Sequence, residues 1–237
     1  MELLKEKSIY IINKNDREYP NQLIKALGNK APPILYCCGN IALANINTVA
    51  IIGSRNIDAE TEKYAANLAK KAVYEGYAVC SGGAKGTDRA SEKAAIESGG
   101  YCISFLADLM IQKISRPEIY TAVKNGKMLL LSAVEPDKYF HVSNAMLRNK
   151  YIYAMSQCAF VIAAAYNKGG TWAGAAENIK SRLSNTYIWD NPKYSGNRPL
   201  IAKGGIGIDS LEKFSVAELV SAEIKSYPEQ LSLFDLN

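Results

Sequence analysis

The stretch Tyr77-Ala-Val-Cys-Ser-Gly-Gly-Ala-Lys-Gly-Thr-Asp88 leaves a fold little choice: a short apolar strand enters a glycine-rich turn and continues directly as a helix. Gly82, Gly83 and Gly86 lack the Cβ atoms that would hold a bulky oxyanion off the backbone, and a helix starting near Thr87 offers N–H groups with positive dipole character. Lys85 adds a mobile ammonium, while Asp88 in the first helical turn favours the helix start. Taken alone, the stretch serves equally well as a plain strand-to-helix connection. Repetition strengthens it. Val49-Ala-Ile-Ile-Gly-Ser-Arg55 is a second buried-type strand ending in small residues, and Phe160-Val-Ile-Ala-Ala-Ala-Tyr-Asn-Lys-Gly-Gly-Thr171 is a third. In an open parallel sheet every such turn lies on the carboxyl edge, so neighbouring strands would bring Ser54, Gly83 and Gly170 around one hollow suited to anionic oxygens. That hollow is the candidate site.

The rest of the chain points to the same architecture. From Thr48 onward, short Val/Ile-rich runs alternate with longer Ala-rich helical patterns, as in a parallel sheet with crossover helices. Ala65, Leu68, Ala69, Ala72 and Val73 form a helical stripe stopped by Gly76. A strand at 101–106, an irregular stretch to Pro117, a helix over 118–124 ended by Asn125-Gly126 and a strand at 127–132 follow. Ser143 is the expected N-cap of a helix through Met155 whose stripe Leu147, Tyr151 and Ala154 faces the sheet; Arg148 and Lys150 then point to a ligand edge or to water. Residues 1–45 read as a compact N-terminal extension, 46–225 as the main domain and 226–237 as a tail.

Composition narrows the chemistry. Cys37, Cys38, Cys80, Cys102 and Cys158 are odd in number, lie mostly in apolar runs and show no C-x-x-C spacing, so buried reduced thiols are expected rather than a zinc site. The lone histidine, His141, is expected at a helix entry or on the surface. G-x-x-x-x-G-K-[ST] and G-x-S-x-G are both absent, so no ATPase loop or hydrolase elbow is indicated, and no catalytic residue, metal or cofactor is expected. The net charge of +5 is concentrated: between His141 and Gly205 eight Lys/Arg face two acids, Glu177 and Asp190, while the remainder holds twenty Lys/Arg and twenty-one acids. A polyanionic partner and a solvated basic face account for that equally well. No apolar run reaches membrane-spanning length and the first residues lack a signal-peptide core, so a cytoplasmic location is expected, with no membrane partner. Tyr139, Phe140, Tyr151, Tyr153 and Trp172 are candidates for base stacking, with core burial as the alternative.

Taken in order, Gly53-Ser54-Arg55, Ser81-Gly-Gly-Ala-Lys-Gly-Thr-Asp88, Gly99-Gly100, Glu135-Pro136, Arg148-Asn149-Lys150, Gly169-Gly170-Thr171, Gly196-Asn197 and Gly204-Gly205 resemble the motifs of the DNA-processing DprA/Smf family. Tyr19-Pro20, Pro33-Ile-Leu-Tyr36 and Gly39-Asn40 resemble that family's approach to its main domain, so the resemblance covers roughly residues 10–205. It implies an α/β fold: an extended Rossmann-like, doubly wound, mostly parallel sheet with helices on both faces and a small N-terminal extension. It also implies a non-catalytic protein that binds single-stranded DNA, acts in DNA processing or recombination and helps to load a RecA-type recombinase; a homodimer is expected. Arg55 and Lys85 are then expected to contact phosphates, and Gly53, Ser54, Gly82, Gly83 and Gly86 to donate backbone N–H groups, with Ser81 beside them. Arg148, Asn149, Lys150, Lys168, Gly169, Gly170 and Thr171 would extend the track.

This chain departs from the family in several places. Members usually carry Ser-Gly-Leu-Ala-Arg-Gly-Ile-Asp at 81–88, a histidine where this chain has Glu92, Arg-Asn-Arg at 148–150 and a serine-rich third turn. Too few residues follow for a winged-helix domain. A second resemblance, to Rossmannoid nucleotide-binding proteins that include phosphoribohydrolases, rests on the same loop and on Gly169-Gly170-Thr171 with Glu177. There the glycine–threonine spacing is broken by Trp172-Ala173-Gly174, and hydrolysis ranks below DNA binding. In the tail, Gln230-Leu-Ser-Leu-Phe234 resembles the peptide by which many bacterial proteins bind the replicative sliding clamp: Gln230 orients it, and Leu231, Leu233 and Phe234 enter apolar pockets. The alternative is that Leu233 and Phe234 staple the terminus to the domain.

Overall fold

The computed structural model describes residue 4 and residues 7–223. Its elements are β1 (Tyr10–Asn13), α1 (Asn21–Leu27), β2 (Ile34–Gly39), β3 (Thr48–Ile52), α2 (Ala59–Tyr74), β4 (Ala78–Ser81), α3 (Thr87–Glu97), β5 (Cys102–Leu106) and α4 (Met110–Ile114). There follow α5 (Pro117–Lys124), β6 (Met128–Ser132), α6 (Val142–Met155), β7 (Cys158–Val161), α7 (Gly169–Ser181), β8 (Asn185–Trp189), α8 (Asn197–Ala202), β9 (Ile206–Ile208) and α9 (Val216–Ser221).

Every residue of β3, β5, β6 and β8 is buried, as strands covered on both faces require. Successive side chains enter opposite layers. Ala50 and Ile52 pack with Tyr151, Ile152 and Met155 of α6 and Leu23 of α1, whereas Val49 and Ile51 pack with Leu68 and Ala69 of α2 and Ala94 and Ala95 of α3. The sheet order is β1-β2-β6-β5-β4-β3-β7-β8-β9. Pairing is parallel from β6 through β9, while β2 runs antiparallel to β6 and β1 to β2, so the expected extension continues the sheet. The chain steps outward from β3 to β6, and α6 then returns it to β7 on the other flank of β3. Strand order reverses between β3 and β7, which is where open α/β sheets hold ligands.

The α6 helix departs from expectation at its start and along its face. His141, not Ser143, is the N-cap, its Nδ1 accepting from the Ser143 N–H at 3.4 Å. The inner face carries Arg148, Tyr151, Ile152 and Met155, while Leu147 is 46% exposed. All five cysteines are free and buried, and burial pushes the Cys80 thiol up to about 12. Among the described residues no helix is long and apolar enough to cross a membrane. The clamp-like peptide at 230–234 lies outside the described residues.

Candidate nucleic-acid interface

Because β4, β3 and β7 are adjacent, their turns meet, but of the three residues expected around one hollow Ser54 and Gly170 line it and Gly83 does not. The Ser54 carbonyl accepts from the Thr87 N–H at 3.1 Å, and the Gly53 carbonyl from the Thr171 hydroxyl at 2.9 Å. Gly86, at φ +76°, comes so near the β3 turn that a Cβ would lie 2.4 Å from the Ser54 carbonyl oxygen. Only glycine allows both that dihedral and that approach. A crevice of about 670 Å³ opens at the switch point, with Gly53, Ser54 and Arg55 on one side and Lys168, Gly169, Gly170 and Thr171 on the other. Phe140, Val142 and Met146 form its apolar lip.

Asp88 also lines this crevice, paired with Arg148, but two of its cations stand apart from any carboxylate. Arg55 and Lys168 are exposed and have no carboxylate within 4.0 Å among the described residues. The Arg55 guanidinium lies 5.1 Å from the centre of the Phe140 ring, an arrangement that orients both. Helix α7 has no side-chain cap and no acid in its first turn, and the N–H groups of Gly169, Gly170 and Thr171 have no partner among the described residues. They add the partial positive charge of a helix start.

The turn after β4 behaves differently. Asp88 and Glu92, one helical turn apart on α3, lie beneath it. Glu92 Oε1 accepts from the Gly83 N–H and from the Ser104 hydroxyl, both at 2.9 Å. Asp88 Oδ2 accepts from the Ala84 N–H at 3.4 Å and pairs with Arg148 Nη1 at 3.6 Å. Both carboxylates are buried. Burial raises the Asp88 pKa against the pull of Arg148, and burial followed by the Asp88 charge pushes Glu92 up to about 7. The expected cradle is therefore occupied by the chain's own anions.

This relocates several expected residues. Gly82 makes room for Arg148, since a Cβ there would sit 1.1 Å from Nη1. Arg148 is 8% exposed and committed to Asp88, because a desolvated carboxylate needs a counter-charge; the pair lines the crevice with little surface of its own. The Ser81 hydroxyl is buried and donates to the Ile51 carbonyl at 2.7 Å. The Asn149 amide donates to the Gly170 carbonyl at 3.0 Å and so fixes the start of α7. Lys85, exposed at the tip of its turn, and Lys150, half-buried on α6, do not line the crevice. Of the aromatic candidates Tyr151, Tyr153 and Trp172 are core residues, while Tyr139 and Phe140 are exposed. The inward carboxylates were missed in the sequence, although their i, i+4 spacing was a signal that both share a helix face.

A doubly wound sheet whose strand order reverses between β3 and β7 defines a Rossmann-like α/β domain. Residues 10–216 match the sequence profile of the DNA recombination-mediator protein A family, and the chain belongs to that family. A candidate DNA processing protein DprA of Mycobacterium tuberculosis is 27% identical over 197 residues, or 76% of this chain. The chain spans about half (50%) of the length of the curated relatives it matches. DNA processing protein A of Streptococcus pneumoniae superposes with a TM-score of 0.73 at 21% identity, covering 88% of this chain and 75% of that one. The Helicobacter pylori protein, solved for its single-stranded DNA binding mode, gives 0.72 at 22% identity over 89% and 95%. At such identities the likeness establishes a shared fold.

Proposed function

We propose that the crevice between β3 and β7 binds single-stranded DNA, and that the protein acts in DNA processing or recombination without catalysing a reaction. One observation carries this reading: among the described residues, two unpaired cations and three unpartnered helix N–H groups surround a groove whose lip is an exposed aromatic ring. Phosphates meet Arg55, Lys168 and the α7 start, and an unstacked base lies on Phe140. A duplex keeps its bases stacked inside, so it cannot use that ring. Family membership and the single-stranded DNA binding of the Helicobacter pylori relative support the assignment.

The finer roles in this proposal rest on the sequence resemblances and not on the crevice: a homodimer located in the cytoplasm, delivery of the strand to a RecA-type recombinase, and sliding-clamp binding through Gln230, Leu231, Leu233 and Phe234. A peptide of residues 226–237 with no affinity for purified clamp at high micromolar concentration would remove the last of these. The central claim is tested by anisotropy titration of a dT oligonucleotide over a range of salt. Removing both cations, Arg55→Ala with Lys168→Ala, should weaken binding by about 100-fold at low salt and flatten the log–log salt slope by about 1.4. Phe140→Ala should cost about 1–3 kcal/mol and Phe140→Trp little. Unchanged affinity in the double cation variant sinks the proposal.

A further inference from the structure

A second crevice, of about 680 Å³, opens on the other side of the β4 turn along α3 and α5, and Arg55 is the one lining residue it shares with the crevice at the switch point. Four cationic and four acidic side chains line it, so it offers a polyanion no net attraction. Two pairs neutralise each other, Arg89 with Glu118 at 2.6 Å and Lys93 with Glu97 at 3.7 Å. What remains is Arg55 and Arg116 without a carboxylate partner, and Glu62 and Glu92 without a cationic one, among the described residues.

Glu92 is the most specific of these groups. It is 6% exposed, and both of its hydrogen bonds end on Oε1. Oε2 has no hydrogen-bond partner among the described residues, and Glu92 lines the crevice. Ile96, Ile119 and Met128 line the same space with hydrocarbon. A matching ligand therefore carries a flat apolar body, an edge of N–H donors for a carboxylate and an anionic group for the two free arginines.

We propose that this crevice binds a purine nucleoside monophosphate through guanine, whose adjacent N1–H and N2–H groups donate to Glu92 Oε2 while the phosphate meets Arg116 and Arg55. A carboxylate oxygen accepts only. Adenine places the N1 lone pair beside its amino group, and that lone pair would face the carboxylate. Burial and then the Asp88 charge push Glu92 up to about 7, so the carboxylate form prevails at about pH 8.

The test is thermal shift and calorimetry of the full chain with GMP, AMP, CMP and UMP at about pH 8. GMP should raise the unfolding midpoint and bind at least about tenfold more tightly than AMP. Glu92→Gln turns an N–H toward the guanine donors, and it and Arg116→Ala should each weaken GMP at least about tenfold. Arg116 is exposed, so its variant retains the fold and serves where Glu92→Gln does not; it should leave dT oligonucleotide binding unchanged. The proposal is overturned if no nucleotide stabilises the chain at millimolar concentration, if AMP equals GMP, or if both variants keep wild-type affinity. A dT oligonucleotide that gains affinity from a single dG while GMP alone does not bind also overturns it, since the crevice would then read a base of the bound strand.

Discussion

The turns after β4 and β7 lie on either side of β3, are rich in glycine and lead into helices, but they treat negative charge in opposite ways. The β4 turn closes over Asp88 and Glu92, with Arg148 as internal counter-ion. The β7 turn meets a helix that begins Gly169, Gly170, Thr171 and brings no acid, so its donors stay available. The distinction lies one helical turn downstream of the glycines. Of the two, the turn after β7 leads into the helix that keeps its first three donors without a partner among the described residues.

The contrast is open to direct attack. Its strongest test is Arg148→Ala, which strands Asp88 in the interior and should cost about 3–5 kcal/mol, or about 10 °C in melting temperature, with Asp88→Asn restoring part of the loss. Wild-type melting of Arg148→Ala would mean that the β4 turn is not neutralised from within. Glu92→Gln sharpens the same point through pH. Between 4.5 and about 7 the folded chain keeps a proton on Glu92 that the unfolded chain releases, so wild-type stability declines as pH rises through that window. The variant should escape the decline, which amounts to about 3 kcal/mol at most, and urea midpoints at pH values of about 5 and 8 measure it.

Gly170→Asp gives α7 the carboxylate that α3 already has. Its Cβ would stand 3.3 Å from the Asn149 amide, a mild contact. Oligonucleotide affinity should fall about tenfold while stability changes by about 1 kcal/mol or less; retained affinity would show that the α7 start does not face the strand. The smallest effect belongs to Thr171→Val, which removes the hydroxyl bond to the Gly53 carbonyl at a cost of about 1 kcal/mol by denaturant titration.

Much of this was legible in the residues. The three strand–turn units, their order and their convergence follow from hydrocarbon runs ending in glycine, because a parallel strand buried on both faces leaves that imprint. The role of each turn did not follow. Arg148 reads as a surface cation by composition, and only the three-dimensional neighbourhood of Asp88 draws it inward against Gly82. The inner face of α6 accordingly includes Arg148 and excludes Leu147. Short elements escaped for a different reason: α4 and β9 span 5 and 3 residues, too few for a periodic pattern to emerge. The aromatic set showed the same limit, since Phe140 and Tyr153 are alike as residue types and differ only in what surrounds them.

The β3 turn is tied on both flanks, with the Gly53 oxygen held by Thr171 and the Ser54 oxygen by Thr87. Carbonyl lone pairs that would repel a phosphate are thereby turned aside within the free protein. The ordering of this loop is completed during folding, so association leaves little backbone entropy to lose, and the encounter rate should be governed by long-range attraction and ionic strength, not by a slow rearrangement of the loop.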